Sequence, residues 1–384
     1  MIDTASVRAF LDERHVTLAA RVGEFATRVL APLAEPADDT AARAQARELL
    51  AMLGSARWFE PIRDQDWRAC CVVREALAAA SPLADAVFAL QALGVVPILL
   101  SGNDAMRKRW LDAAIQGRAM ASFAMTEPEA GSDAAALGAT AERDGDGGGY
   151  VLSGTKTFIS NAGIADFYTV FATTDRTKKD KGIGCFVVPA DTPGLRFVRP
   201  LVLSSPHPLG EIAFQQARIP GECRLDADGK GGGEGFKLGL ATLDRVRATV
   251  GAAACGMAGR ALTEALAHAK SRRQFGKPIA DFQLIQEKLA RMATELTAAR
   301  LLVYRAAWEK DQGAPRVTLE AAMAKAYATE AAQRIVDDAV QILGGRGVLA
   351  DHPVDRLYRS VRALRIYEGT TEIQHLIIAG QLLK

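Results

Sequence analysis

Cysteine is scarce in this chain, with five in 384 residues (Cys70, Cys71, Cys185, Cys223, Cys255), no CxxC and no regular spacing. That excludes a disulfide framework, and the five read as small apolar residues of a reducing compartment. Histidine is equally rare: five residues (His15, His207, His268, His352, His375) include no HxxxH pair, so no metal site is expected. A surplus of either charge is also lacking. A formal net charge of +2 and a pI near 8.2 argue against nucleic acid or a membrane surface as partner. No apolar stretch is expected to reach membrane-spanning length. The start, MIDTASVRAFLDERH, carries acids where a signal peptide would open basic and turn apolar. The expectation is a soluble, cytoplasmic protein.

What is present is apolar bulk. Hydrophobic residues make up 49% of the chain, enough to bury a sizeable core, and the length suits two or three compact units. Residues 1–118 are rich in alanine, leucine and arginine. Stretches such as VREALAAA and MRKRWLDAAI have helical spacing, broken at Pro32, Pro61, Pro82 and SGND (101–104), so this region reads as helical. Over 119–232 the texture changes. GYVLSGTKTFIS, FYTVFATT, IGCFVVPA and LRFVRP are short β-branched and aromatic runs separated by turn signals, the pattern of an antiparallel β domain. The charged TDRTKKDKG reads as a solvated hairpin tip.

DADGKGGGEG (226–235) reads as a flexible connector; without GK[ST] and a following strand–helix–strand unit it is no phosphate loop. Over 233–384 the helical period returns. Phe282, Ile285, Leu289, Met292, Leu296 and Val303 mark one apolar stripe, with Asp281 as its expected start. A second helix is expected across AAMAKAYATEAAQRIVDDAVQIL, ending at Gly344–Gly345. Long helices with short connections predict an antiparallel bundle. The fold class is therefore α+β and mostly helical: an N-terminal helical domain, a central antiparallel β domain and a C-terminal helical bundle.

Near the C-terminus stands RIYEGTTEIQHL (365–376). Thr371 and Gln374 have capping-box spacing, and Ile373, Leu376 and Ile377 follow with helical period. Glu368 thus falls in the connection leading into a helix. Taken alone, a loop carboxylate there is ordinarily solvated.

Four segments stand in order along the chain: SFAMTEPEAGSD (122–133), GTKTFISNAGIADFY (154–168), SRRQFGKPIADFQLIQ (271–286) and QILGGRGV…RIYEGTTEIQ (341–374). Together they resemble the acyl-CoA dehydrogenases over about residues 105–384. The resemblance implies a C-terminal four-helix bundle, FAD, a homotetramer built as a dimer of dimers, and an electron-transferring flavoprotein as acceptor. It implies removal of the α-proton of an acyl-CoA thioester and transfer of the β-hydrogen, as hydride, to flavin N5, giving the trans-2-enoyl-CoA.

Residue by residue, the resemblance assigns Phe123, Met125 and Thr126 to the polar rim of the flavin and Gly131 and Ser132 to close approach. Phe158 would lie against the ring with Ile159 beside it, and Ser160 would donate towards N5. Arg272 would contact the pyrophosphate, as suits a fixed fork of donors. Gln274, Phe275, Phe282 and Gln283 would line a neighbouring subunit's cofactor. Gln341, Gly344 and Gly345 would meet its adenosine or phosphate part, with Thr370 and Glu372 at a helix start. Glu368 matches the base, its own N–H serving as a donor to the thioester carbonyl. Some members carry the base on another helix, and here that position is Val246, which takes no proton. Ser132, Asp244, Arg247, Tyr367 and Gly369 match substrate-contact positions; Asp244 and Arg247 read equally as an ordinary i,i+3 ion pair.

Three places depart from the family pattern: ARWFEPIRDQDWRAC replaces a glycine-rich segment, SSPHPLGEI (204–212) an Arg-Gly-Ser stretch, and Gly380 a frequent arginine. Two alternatives stay open. One is an oxygen-using relative, an acyl-CoA oxidase or other flavoprotein of the same fold. The other is a catalytically silent flavin- or CoA-binding homologue.

Overall fold

A computed structural model describes residues 4–101, 103–145, 148–225 and 234–384. Most of the expected connector 226–235 therefore lies outside the described residues. The chain forms two compact units: Met1–Ala34, Gln65–Asp85 and Asp244–Lys384 in the first, Glu35–Asp64 and Ala86–Leu243 in the second.

The first unit is helical. Helix Thr318–Leu343 packs against Gln283–Asp311, Pro353–Leu364 and Thr371–Leu382. Its buried face is mostly alanine (Ala321, Ala324, Ala328, Ala331), so the helix axes approach closely. Helix Glu234–Ser271 joins them through Gly251, whose missing Cβ leaves room for Val303. At Gly256 a Cβ would lie 2.1 Å from the Glu75 carbonyl oxygen, so only glycine allows helix Trp67–Ala80 to cross there. Beside this crossing Glu75 is buried and accepts from Arg300 Nε and Tyr304 Oη, both at 2.8 Å. The expected helix start at Asp281 is displaced by two residues. Asp281 ends a 3-10 turn, and the helix begins at Gln283. The stop at Gly344 holds, with φ +58.

The second unit is built on a seven-stranded sheet: β1 Ala121–Ala124, β2 Thr140–Arg143, β3 Tyr150–Ser160, β4 Phe167–Thr173, β5 Ile183–Pro189, β6 Leu195–Pro200 and β7 Leu209–Ile219. The order is β1-β4-β2-β3-β7-β6, with β5 also paired to β4. The antiparallel expectation holds for most pairs, but the sheet is mixed, since β4 runs parallel to β1 and β2. A long excursion separates β1 from β4, which frees the short strand to enter in the parallel sense. The charged TDRTKKDKG does connect the antiparallel β4 and β5, largely as an exposed 3-10 turn.

The reading of apolar runs needs correction. Helix Pro82–Ser101 has the length and mean hydropathy (2.1) of a membrane span, and 83% of that window is buried in the fold. Its polar residues are matched internally. Asp85 holds Arg74, while Gln91 donates to Ala114 O and Ala119 O and accepts from Ala121 N–H.

Candidate active site

Glu368 lies in the first unit, in the turn between helices Pro353–Leu364 and Thr371–Leu382. The cap falls one residue earlier than the capping-box pattern: Thr370 Oγ1 accepts from Ile373 N–H, and Thr371 instead donates to Glu330 Oε1 at 2.7 Å. Gln374 is buried and turned backwards. Its Nε2 donates to the main-chain oxygens of Glu368 (3.2 Å) and Gly369 (2.9 Å). Lys325, fully buried, donates to the same Gly369 oxygen at 2.7 Å. Two side chains thus clamp the turn from below.

The clamped backbone is left-handed at both residues, with φ +54 at Glu368 and +92 at Gly369. A Cβ on Gly369 would stand 2.5 Å from Gln374 Nε2, so glycine is required there. At Glu368 the same region strains an ordinary residue, a feature that clusters at functional sites. Glu368 Oε2 is buried and accepts no hydrogen bond from a described residue, and no described residue accepts its main-chain N–H.

Burial, the dominant influence, pushes the Glu368 carboxyl up from its ordinary value; Arg74, Arg247 and Lys325 pull it back, and Asp85 adds to the rise. Lys325 is pushed down to about 8, chiefly by burial. Arg247 is buried and donates to Asp244 Oδ1 at 2.7 Å, while Asp244 Oδ2 accepts from Thr318 at 2.6 Å. The i,i+3 pair therefore exists, and with Thr318 it leaves neither carboxylate oxygen of Asp244 unoccupied. Val246 is buried. Tyr367, in the same turn, keeps 39% of its surface exposed.

The same unit carries the RRQFGKPI motif as a two-residue hairpin, β8 Arg273–Gln274 and β9 Lys277–Pro278. Phe275 and Gly276 both have positive φ (+51 and +82), the primed turn that suits strand twist. The turn presents Phe275 at 92% exposure, edge-on to Phe282 at 6.0 Å. Arg272, Gln274, Gln283, Gln341, Gly344, Gly345 and Glu372 are exposed, and Thr370 is half-buried.

The remaining assigned residues belong to the second unit. Phe123 packs on Phe171 at 5.0 Å. Met125 is buried and its carbonyl accepts from Lys156 Nζ at 3.0 Å; Thr126 O accepts from Thr157 N–H at 3.0 Å. Gly131 and Ser132 lie exposed. Phe158 is 63% exposed at φ +53, Ile159 is buried, and Ser160 is half-buried. Sequence reasoning missed what anchors this wall. Lys156 is buried against Glu127 at 2.7 Å, and Glu127 also accepts from the N–H of Gly138 and of Ala139. Nothing in a run of turn-forming residues singles out Glu127 as the partner of a lysine on a distant strand.

Across the chain, residues 12–118, 122–217 and 233–383 match the N-terminal, middle and C-terminal domain models of acyl-CoA dehydrogenase. The chain belongs to the acyl-CoA dehydrogenase family. As such it is an oxidoreductase acting on CH–CH bonds. It is 38% identical to a 3-(aryl)acrylate reductase of Clostridium sporogenes, over 98% of this chain and 100% of that one. With the short-chain-specific acyl-CoA dehydrogenase of Megasphaera elsdenii it shares 41% identity over 75% of this chain and 74% of that one. Among solved structures, one from a study of the electron transferring flavoprotein of Acidaminococcus fermentans superposes with TM-score 0.91 at 34% identity, covering 97% of this chain and 99% of the other. Butyryl-CoA dehydrogenase from Megasphaera elsdenii gives 0.89 at 34%, with coverage of 97% and 99%. A glutaryl-CoA dehydrogenase from Mycobacterium smegmatis in complex with FADH2 gives 0.87 at 28%, covering 98% and 96%.

Proposed function

We propose that the chain removes the α-proton and β-hydride of an acyl-CoA thioester, with FAD as cofactor and Glu368 as base, and passes the electrons to an electron-transferring flavoprotein. The observation that carries the reading is the buried, unpartnered Glu368 Oε2 on a strained turn held by Gln374 and Lys325. A carboxylate without a partner is free to take a proton, and burial raises its basicity towards that of the task. Arg74, Arg247 and Lys325 oppose that rise. The Glu368 N–H, which no described residue accepts, would donate to a thioester oxygen as negative charge develops there.

The residues assigned to FAD fit it. Phe158 and Phe275 are aromatic rings exposed on strained backbone, waiting for an apolar partner. At Gly131, Gly344 and Gly345 a Cβ would meet nothing within 4 Å, so bare backbone faces open space that a phosphate group can approach. When bound, FAD supplies the hydride acceptor. Phe275, Gln274 and Gln283 stand on a projecting hairpin and helix start, which suits service to a neighbouring subunit of a homotetramer.

The test is anaerobic mixing of flavin-loaded protein with a panel of short, medium, branched and aryl-substituted acyl-CoAs while flavin absorbance is followed. Bleaching by at least one is expected, and none across the panel would sink the reading. The reductase name of one relative favours a second direction. The same turn then works in reverse, with protonated Glu368 delivering the α-proton to an unsaturated acyl group. Reoxidation of reduced enzyme by an aryl enoyl thioester, faster than by electron-transferring flavoprotein, selects that direction. Peroxide formed without added acceptor would mark an oxidase instead.

A further inference from the structure

The segment SSPHPLGEI replaces the family's usual stretch, and in the second unit it carries an imidazole onto Ser160. His207 Nε2 lies 2.7 Å from Ser160 Oγ. We infer that His207 is a positioning residue for Ser160, its Nε2–H holding the hydroxyl so that the Ser160 proton points outward as a donor. The inference rests on the reading that Ser160 faces the flavin.

The surrounding structure fixes this contact from several sides. Ser160 and Ile159 pair with Leu209 and Gly210 in the β3–β7 ladder. Asn161 N–H donates to Pro208 O at 2.6 Å, so the backbone next to His207 is tied to the end of β3. Arg43 bridges the same two segments, donating to Leu209 O at 2.7 Å and to Ala162 O, and is itself held by Asp39 at 2.6 Å. Ser122 Oγ donates to the Ser160 carbonyl at 2.6 Å, which fixes the residue's main chain. Only the hydroxyl remains to be oriented, and His207 is the residue on it.

A serine hydroxyl has one proton and two lone pairs. With the ring proton on Nε2, His207 donates to a lone pair and leaves the serine proton free. With the ring proton on Nδ1, Nε2 accepts that proton and Ser160 offers only lone pairs outward. The ring tautomer therefore decides whether Ser160 is a donor or an acceptor towards a neighbour, and the N5 atom of oxidised flavin is an acceptor. Burial first, then the Arg43 charge, lowers His207 to about 4 against the opposing pull of Asp39, so the imidazole is neutral and the tautomer choice is real at neutral pH.

The experiment compares Ser160→Ala, His207→Ala, His207→Gln and the double alanine variant as flavin-loaded protein. The readouts are the FAD dissociation constant and the flavin visible spectrum. One lost hydrogen bond predicts Ser160→Ala to weaken FAD about threefold to tenfold and to shift the spectrum. His207→Ala is expected to move both in the same sense, and the double variant no further than Ser160→Ala alone. His207→Gln, which keeps an N–H donor, is expected to restore most of the loss. An unchanged His207→Ala beside a shifted Ser160→Ala overturns the role of His207 alone, as do independent effects in the double variant. An unchanged Ser160→Ala overturns the placing of Ser160 at the flavin and this inference with it. Nitrogen chemical shifts of the histidine rings in the unsubstituted protein test the same point without a variant. A proton on Nδ1 of His207 would contradict the assignment.

Discussion

Lys325 donates from Nζ to the main-chain oxygen of Gly369 at 2.7 Å, and Gly369 directly follows Glu368, the proposed base. One buried ammonium thus holds the turn in place and sets its charge beside the carboxylate. At neutral pH most of Lys325 is protonated, since burial lowers it only to about 8. In Lys325→Met the nearby cation is gone, so the Glu368 carboxyl rises further. The acid limb of the kcat/KM profile should move up by about one pH unit, and kcat should fall. Stopped-flow flavin reduction across pH 5–9 reads both.

Glu368→Gln keeps the shape of the side chain and removes its basicity. Flavin reduction should slow by about 10²–10⁴-fold, with the yellow colour retained. In the unsubstituted enzyme kcat/KM should rise with pH through a limb above the ordinary carboxylate value of 4.5, because burial favours the protonated acid. A limb at or below that value would contradict the burial argument.

Gly369→Ala puts a Cβ where Gln374 Nε2 now stands, on backbone at φ +92. Calorimetry should show a loss of about 1–3 kcal/mol. Activity should fall further than stability, since Gln374 would release the turn that carries Glu368, the proposed base.

Elsewhere in the first unit, Glu75→Ala leaves Arg300 buried without its carboxylate and Tyr304 without an acceptor. A destabilisation of about 3–5 kcal/mol is expected from chemical denaturation, and Tyr304→Phe should cost only about 1 kcal/mol.

His207 predicts an acid sensitivity. Its folded value of about 4 lies below the unfolded 6.5, so the unfolded chain binds the extra proton between them. Stability from this group is complete above 6.5 and is lost as pH falls towards 4, by at most about 3 kcal/mol. His207→Gln should flatten that part of the stability–pH curve.

Much of this was legible in the sequence, and the rest was hidden for identifiable reasons. Alternating runs and turn signals located the strands, but strand direction within a pair leaves no trace in a period of two, so the parallel partners of β4 went unseen. The helix at 371 was visible; its cap was assigned to Thr371 because Gln374 completes a box. The structure spends Gln374 on the Glu368–Gly369 carbonyls instead and caps with Thr370. Asp85, Gln91 and Pro97 interrupt the run 82–101 to the eye, though two of them are internally bonded and the helix is largely buried. The partners Lys156–Glu127, Lys325–Gly369 and His207–Ser160 lie 29, 44 and 47 residues apart, and no local pattern announces them.

The left-handed backbone at Glu368 carries a consequence for how such a protein can change. Glycine would sit there at greater ease and would remove an acid from an interior that resists its charge. With Glu368 as the proposed base, the substitution that most relaxes the turn is thus the one that would silence the enzyme. Lineages freed from the need to turn over thioesters would drift towards it, and persistence of the acid in close relatives would signal chemistry still under selection.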